Sequence, residues 1–198
     1  MALIDVSGEI RDRLDKYRAL LVKWQVRINL VASDSLSDAW ARHFIDSFQL
    51  IQFLPTGKFV LADIGTGAGF PGLVLAIARP DIQVHLVESD AKKCEFLKTV
   101  SRETSTPVLV HPDRIEKLPP FPVDIMTARA LAPLVELFKY ALPYATLNPN
   151  LKMIFLKGAQ AQDEITAARD IYDFTIESHE SLTSSAGHVL IISQLKRK

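Results

Sequence analysis

The sequence predicts an α/β protein built on a seven-stranded, mostly parallel sheet with helices on both faces and a helical extension at its N-terminus. Three observations predict it. Strand-like and helix-like patterns alternate from Lys58 onward, as they do when crossover helices link parallel strands. The apolar run Phe59 to Ala62 is followed by Asp63 and a turn rich in glycine, Gly65-Thr66-Gly67-Ala68-Gly69-Phe70-Pro71-Gly72, before a helical pattern opens at Leu73. The last two strands have only Glu180 to Gly187 between them, too short for a crossover helix, so they pair antiparallel.

The first helix spans residue 7 to about residue 30. Ile10, Leu14, Tyr17, Leu20, Leu21, Trp24 and Ile28 recur at three- and four-residue spacing, and Ser7 is placed to cap it. A second helix is expected from Ser37 to Phe53, with Trp40, Phe44, Ile45 and Phe48 inward, and Pro55-Thr56-Gly57 breaks the chain. These observations divide the chain into an extension, residues 1–57, and a compact ligand-binding unit, residues 58–198. Later strands are expected at Gln83 to Val87, Val108 to Val110, Val123 to Thr127, Met153 to Leu156, Phe174 to Ser178 and His188 to Ile192. Helices fall between them at Ala91 to Thr104, Leu134 to Leu142 and Gln160 to Ile171.

A length of 198 residues with 48% hydrophobic and 23% charged side chains describes a globular chain with a substantial core. The 23 basic and 23 acidic residues cancel, so any surface for nucleic acid must be local. The one cysteine, Cys94, cannot form an internal disulfide and fits the reducing cytoplasm. Charges from Asp5 to Arg13 exclude a signal peptide, and no apolar stretch approaches the roughly 20 residues that span a bilayer. Five scattered histidines show no metal-ligand spacing, so no metal is expected.

A strand, a glycine-rich turn and a helix N-terminus form a nucleotide-shaped site at the carboxyl edge of a parallel sheet. Glu88 closes the second strand, where a carboxylate accepts from both hydroxyls of an adenosine ribose. Both a dinucleotide and S-adenosylmethionine (SAM) carry that ribose. Asp63 favours SAM, because a carboxylate there suits its cationic methionine part and repels a pyrophosphate. Cys94 reads as a small core residue rather than a nucleophile.

Further motifs narrow the reading. Arg42-His43-x-x-Asp46-Ser47 precedes the turn, whose Phe70-Pro71-Gly72 ending is uncommon; Arg114-Ile115-Glu116, Arg129-Ala130 and Leu156-Lys157-Gly158 follow the third, fourth and fifth strands. With Trp24 and Asn29-Leu30, this set resembles the bacterial small-subunit ribosomal RNA methyltransferase G family, also called glucose-inhibited division protein B, over nearly the whole chain. The resemblance implies a Rossmann-like SAM-dependent fold and methylation of a guanine at N7 in 16S rRNA, near the decoding site. It places Gly65 and Phe70 at the SAM pocket, Ile115 and Glu116 beside the adenine, and Arg129 at the cofactor. Gln25 and Val31 stand where the family carries Asn and Thr, and Gly187 where it carries an arginine before His188.

The expected cofactor-binding set is therefore Asp63, Gly65, Gly67, Gly69, Phe70, Glu88, Ile115, Glu116 and Arg129. Arg129 and Lys157 are expected to position the reaction, with Arg42, His43 and Lys157 at the RNA entrance. Guanine N7 has no proton to lose, so no general base is expected. Other candidate RNA contacts are the cations of the first helix (Arg11, Arg13, Lys16, Arg18, Lys23, Arg27), Lys92, Lys93 and the Lys196-Arg197-Lys198 tail. The expected partner is 16S rRNA or the small ribosomal subunit, with a monomeric enzyme and no membrane. Two rivals are an NAD-dependent oxidoreductase and a non-catalytic RNA-binding module. A small-molecule methyltransferase is compatible with the fold, since fold does not set substrate, but the family resemblance argues against it.

Overall fold

The computed structural model describes Val6 and residues 8–198; the Ser7 cap lies outside them. The strands are β1 (Val60–Ile64), β2 (Gln83–Val87), β3 (Leu109–His111), β4 (Ile125–Arg129), β5 (Lys152–Lys157), β6 (Tyr172–Glu180) and β7 (His188–Arg197). The helices are α1 (Gly8–Gln25), α2 (Asp46–Phe48), α3 (Gly72–Ala78), α4 (Ala91–Glu103), α5 (Leu134–Leu147) and α6 (Ala161–Arg169). The seven strands form one sheet in the order β3-β2-β1-β4-β5-β7-β6. The first five run parallel; β7 pairs antiparallel with both β5 and β6. The strand order reverses between β1 and β4, the switch point where such sheets bind ligands.

Side-chain alternation along the strands divides the core in two. Leu61, Ile125 and Ile154 face a layer built by α1, α3 and α4, whereas Ala62, Met126 and Phe155 face α5 and α6. Asp63 shares the Leu61 face and so points toward the start of α3. That helix is apolar all round, and its seven residues are all buried.

The N-terminal extension packs into this core. Leu14, Tyr17 and Leu21 of α1 join the same cluster as Leu73, Phe96 and Leu97, and burial of Leu14 and Leu21 contributes about 1.5–3 kcal/mol each.

Three helices differ most from expectation. The first stops at Gln25 instead of about residue 30, where the Gln25 side chain takes up the amides of Leu30 and Val31. The second begins later, at Trp40, and winds as wide π turns over Trp40–Ile45, one α turn at α2 and tight 3₁₀ turns over Gln49–Phe53. Helix α5 runs through Pro143 to Leu147 instead of stopping at Leu142. Pro143 and Lys139, four residues earlier, both lie on the solvent face, where water reaches the carbonyl that the proline leaves without a donor.

Candidate active site

The carboxyl ends of β1, β2 and β4 open into a cavity of about 650 Å³. Its floor is the glycine-rich turn, where Gly65, Gly67 and Gly69 have φ of 61°, 59° and 97°, a region side chains disfavour. Gly65, Gly67, Phe70, Glu88, Ile115, Glu116 and Arg129 all line the cavity, as do Arg42 and His43. The extension supplies the roof through Leu30, Val31 and Ala32. Gln25 fixes that segment: its Oε1 accepts from Leu30 N (3.0 Å) and Val31 N (3.1 Å), while its Nε2 donates to Val31 O (2.8 Å). Gln25 thus ties the roof to the end of α1 through three hydrogen bonds.

Asp63 and Gly69 do not line the cavity, which corrects both expectations of direct contact. Asp63 is fully buried beneath the turn. It accepts from Thr66 Oγ1, from Gly72 N at 2.9 Å and from Thr127 Oγ1 at 2.8 Å. Burial pushes its carboxyl up to about 6, and these donors with Arg129 hold it from rising further. Gly69 faces inward: a Cβ there would lie 2.5 Å from the Tyr17 hydroxyl and 3.0 Å from Leu73 and Leu97. The third glycine of the motif is therefore a packing residue.

Glu88 is oriented by backbone donors on both oxygens, from Gly67 N (2.9 Å) and Asp90 N (2.8 Å). Gly72 N, the first amide of α3, is already bonded to Asp63. Two amides that could serve a pyrophosphate, Gly67 N and Gly72 N, are thus already bonded to carboxylates, whose charge opposes a phosphate at the turn.

Above the turn, His43, Arg129 and Tyr17 surround Phe70. The His43 and Phe70 rings stack at 5.2 Å, the Tyr17 and Phe70 rings at 5.3 Å, and the Arg129 guanidinium lies 5.0 Å from the Phe70 centroid. Burial, then Arg129 and Arg42, lowers the His43 pKa to about 4, so its ring is neutral. Ser35 spends its hydroxyl proton on Ala32 O (2.6 Å) and must accept from His43 Nε2 (2.8 Å). The Nδ1 of His43 is then a bare lone pair, buried and without a partner among the described residues.

A second cavity, of about 600 Å³, adjoins the first across Arg129, Ala130 and Leu131. Ala130 holds a left-handed φ of 52° there, which costs roughly 1–2 kcal/mol. Lys157 lines this cavity but its ammonium is committed: it pairs with Glu164 Oε2 at 2.6 Å and donates to Ala132 O at 2.7 Å. The same Glu164 oxygen accepts from Leu134 N at 2.7 Å. Lys157 pins the loop after β4 from this position instead of reaching outward to phosphate. Several proposed RNA contacts are also committed: Arg11 and Arg13 pair within α1, Lys16 bonds Glu103 O, and Lys198 bonds Arg169 O. Lys93 instead lines the first cavity.

Residues 10–192 match the sequence model of the family described as rRNA small subunit methyltransferase G. The chain belongs to this family. Among curated members, the rRNA small subunit methyltransferase G of Paramagnetospirillum magneticum is 49% identical over 97% of this chain and 92% of its own length. The Rhodospirillum rubrum protein of the same name is 46% identical over 98% and 95%. Among solved structures, magnesium protoporphyrin IX methyltransferase of Synechocystis with bound SAM has a TM-score of 0.61 at 12% identity, covering 97% of this chain and 98% of that one. A SAM-dependent methyltransferase of Aquifex aeolicus gives 0.59 at 12% identity, covering 78% and 92%. At these identities the likeness shows the Rossmann-like methyltransferase fold.

Within the methyltransferase G frame, sequence reasoning missed Tyr140 and Leu131, which line the first cavity. Tyr140 lies on the face of α5 one turn from Leu137, a helical-period signal that reads as core; burial and then the Glu136 and Glu116 carboxylates raise its hydroxyl to about 12. Leu131 leans over Gly65, where a Cβ would meet it at 2.4 Å. Nothing in the local sequence marks it. Gly187 has a steric reason to lack a side chain, since a Cβ would lie 2.9 Å from Ser181 Cβ. Among the described residues no cluster of three His, Cys, Asp or Glu could hold a metal, and no helix is long and apolar enough to cross a membrane.

Proposed function

We propose that this chain binds SAM in the first cavity and methylates N7 of a guanine in 16S rRNA near the decoding site, acting on the small ribosomal subunit. The observation that carries the cofactor is the bond from Gly67 N to Glu88 Oε2 at 2.9 Å. It holds a carboxylate at the glycine turn, ready for a ribose, and Asp63 beneath the same turn suits a cation and repels pyrophosphate, which favours SAM over NAD. Gly67 leaves room beside it, because a Cβ there would meet nothing closer than Gly65 O at 4.0 Å. When bound, SAM supplies an electrophilic methyl group: the N7 lone pair forms the new bond, the C–S pair returns to sulfur, and the positive charge passes to guanine.

This chain's residues then have three tasks. Glu88 holds the sugar, while Ile115 and Glu116 border the adenine. Asp63, from beneath the turn, supplies a negative charge to a cationic ligand without touching it. Arg129, between the two cavities, orients the guanine through its carbonyl oxygen or a neighbouring phosphate. No side chain has to take a proton, in keeping with the neutral, inward-bonded His43. Arg42 and the 181–187 turn, at the second cavity, form the RNA side.

The test is to incubate the protein with labelled methyl donor and small subunits from an unmodified strain, then map the base. Label at a guanine N7 of 16S rRNA is expected. Binding of NAD with no methyl transfer would favour the oxidoreductase, and RNA binding without transfer the non-catalytic module.

A further inference from the structure

Arg129 is held from an unexpected side. Its Nη1 donates to the Arg42 carbonyl at 3.0 Å and to Asp46 Oδ2 at 3.3 Å, both from the N-terminal extension. The other carboxylate oxygen of Asp46 accepts from Thr183 Oγ1 at 2.5 Å and from Gln49 Nε2 at 2.9 Å. Gln49, itself buried, accepts from Leu182 N at 2.8 Å and donates to Ser181 Oγ at 3.1 Å. Three segments remote in sequence therefore meet at one carboxylate: the second helix, the end of β4 and the turn between β6 and β7. All three border the second cavity.

We infer that Asp46 is a positioning residue for the acceptor base: with Gln49 it sets Arg129 and the 181–187 turn as the wall against which the guanine docks. The inference rests on the methyl transfer proposed above. Its second element is charge. As the methyl group moves, positive charge appears on the guanine, and an unbalanced guanidinium beside it would oppose transfer. Asp46 neutralises Arg129 where the two side chains are mostly buried, 16% and 17% exposed, so screening by water is weak. Arg129 can then supply directed N–H groups with little net charge.

The variant is Asp46→Asn, which keeps the shape and removes the charge. Expected are SAM affinity within about twofold of wild type and a kcat on small subunits reduced roughly tenfold to a hundredfold. RNA affinity without SAM provides a readout independent of turnover. There Asp46→Asn and Arg129→Ala should be non-additive, with the double variant no weaker than Arg129→Ala alone. Additive losses, or a folded Asp46→Asn with wild-type kcat, would overturn the inference. Should Asp46→Asn fail to fold, Thr183→Val removes one donor only; it should raise the KM for subunits several-fold while SAM affinity holds, and an unchanged KM would overturn the inference. Wild-type protein that transfers no methyl group sinks the proposed reaction itself, a result distinct from either of these.

Discussion

Tyr17, in the first helix, donates its hydroxyl proton to the carbonyl oxygen of Ala68 inside the glycine-rich turn. The ring is fully buried, stacked on Phe70 and set edge-on to Phe44. Burial raises its phenol well above the ordinary value, so it remains a donor at any working pH. The extension is thus bonded to the segment that forms the cofactor floor. Tyr17→Phe removes the donor while keeping the ring, leaving the Ala68 carbonyl unpaired. A loss of about 1–3 kcal/mol and a several-fold weaker Kd for SAM are expected, read by thermal melting and calorimetry. Unchanged SAM affinity would mean that α1 is only a cover.

Two glycines of one motif should fail in different ways. Gly67 faces open cavity and Gly69 faces Tyr17, Leu73 and Leu97. Gly67→Val should block SAM in a protein that still folds, with a stability loss of roughly 1–2 kcal/mol from the left-handed φ. Gly69→Ala should lose more stability, because Tyr17 and the core must move. Melting curves and SAM titrations on both variants check this; equal effects would contradict the assignment of sides.

The buried Asp63 sets a pH dependence. Its carboxyl titrates near 6 in the folded protein and at about 4 when unfolded. The folded state therefore holds the proton more tightly, so Asp63's contribution to stability falls as pH rises from about 4 to about 6 and is level above that. SAM affinity runs the other way. Below pH 6 the carboxyl is neutral and no longer attracts a cation, so Kd should weaken by up to about tenfold per pH unit. In Asp63→Asn that slope should vanish. Calorimetric titration between pH 5 and 8 (a window set about the shifted value) measures both; parallel slopes in the two proteins would refute the role.

The sheet and its ligand edge were legible in the sequence because their signals are local. Phe59 to Ala62, the left-handed glycines and Glu88 at the end of β2 each state their chemistry within a few residues. Asp63 was identified but its direction was not. Strand period two sends it under the turn, and whether its oxygens meet ligand or protein depends on Thr127 and Gly72 from other segments. Gly69 fits the dinucleotide pattern, yet its reason is Tyr17, remote in the chain. Asp46 was legible only as part of the Arg42-His43-x-x-Asp46-Ser47 motif, without a role, and Gln49 carried no signal, because their partners lie on β4 and the last turn. The spacing of Trp40, Phe44, Ile45 and Phe48 reads as an ordinary α-helix and does not register the π turns at Trp40–Ile45, which add a residue per turn over only six residues.

Lys157 separates two roles that the sequence could not. A phosphate contact predicts that Lys157→Met lowers the salt slope of RNA binding by about one unit. The pairing with Glu164 and Ala132 predicts an unchanged slope. It also predicts a loss of about 3 kcal/mol or more, since Glu164 keeps a partly buried charge without its partner, together with a loosened 130–133 loop. Filter binding across a salt series and thermal melting distinguish them, and the second outcome is expected.

The most direct measurement is a crystal structure of the protein with SAM. Both ribose hydroxyls should lie against the Glu88 carboxylate, with the sulfonium methyl turned toward Arg129 and the second cavity. A ribose elsewhere, or a cleft that stays empty at saturating SAM yet admits a pyrophosphate, would contradict the account.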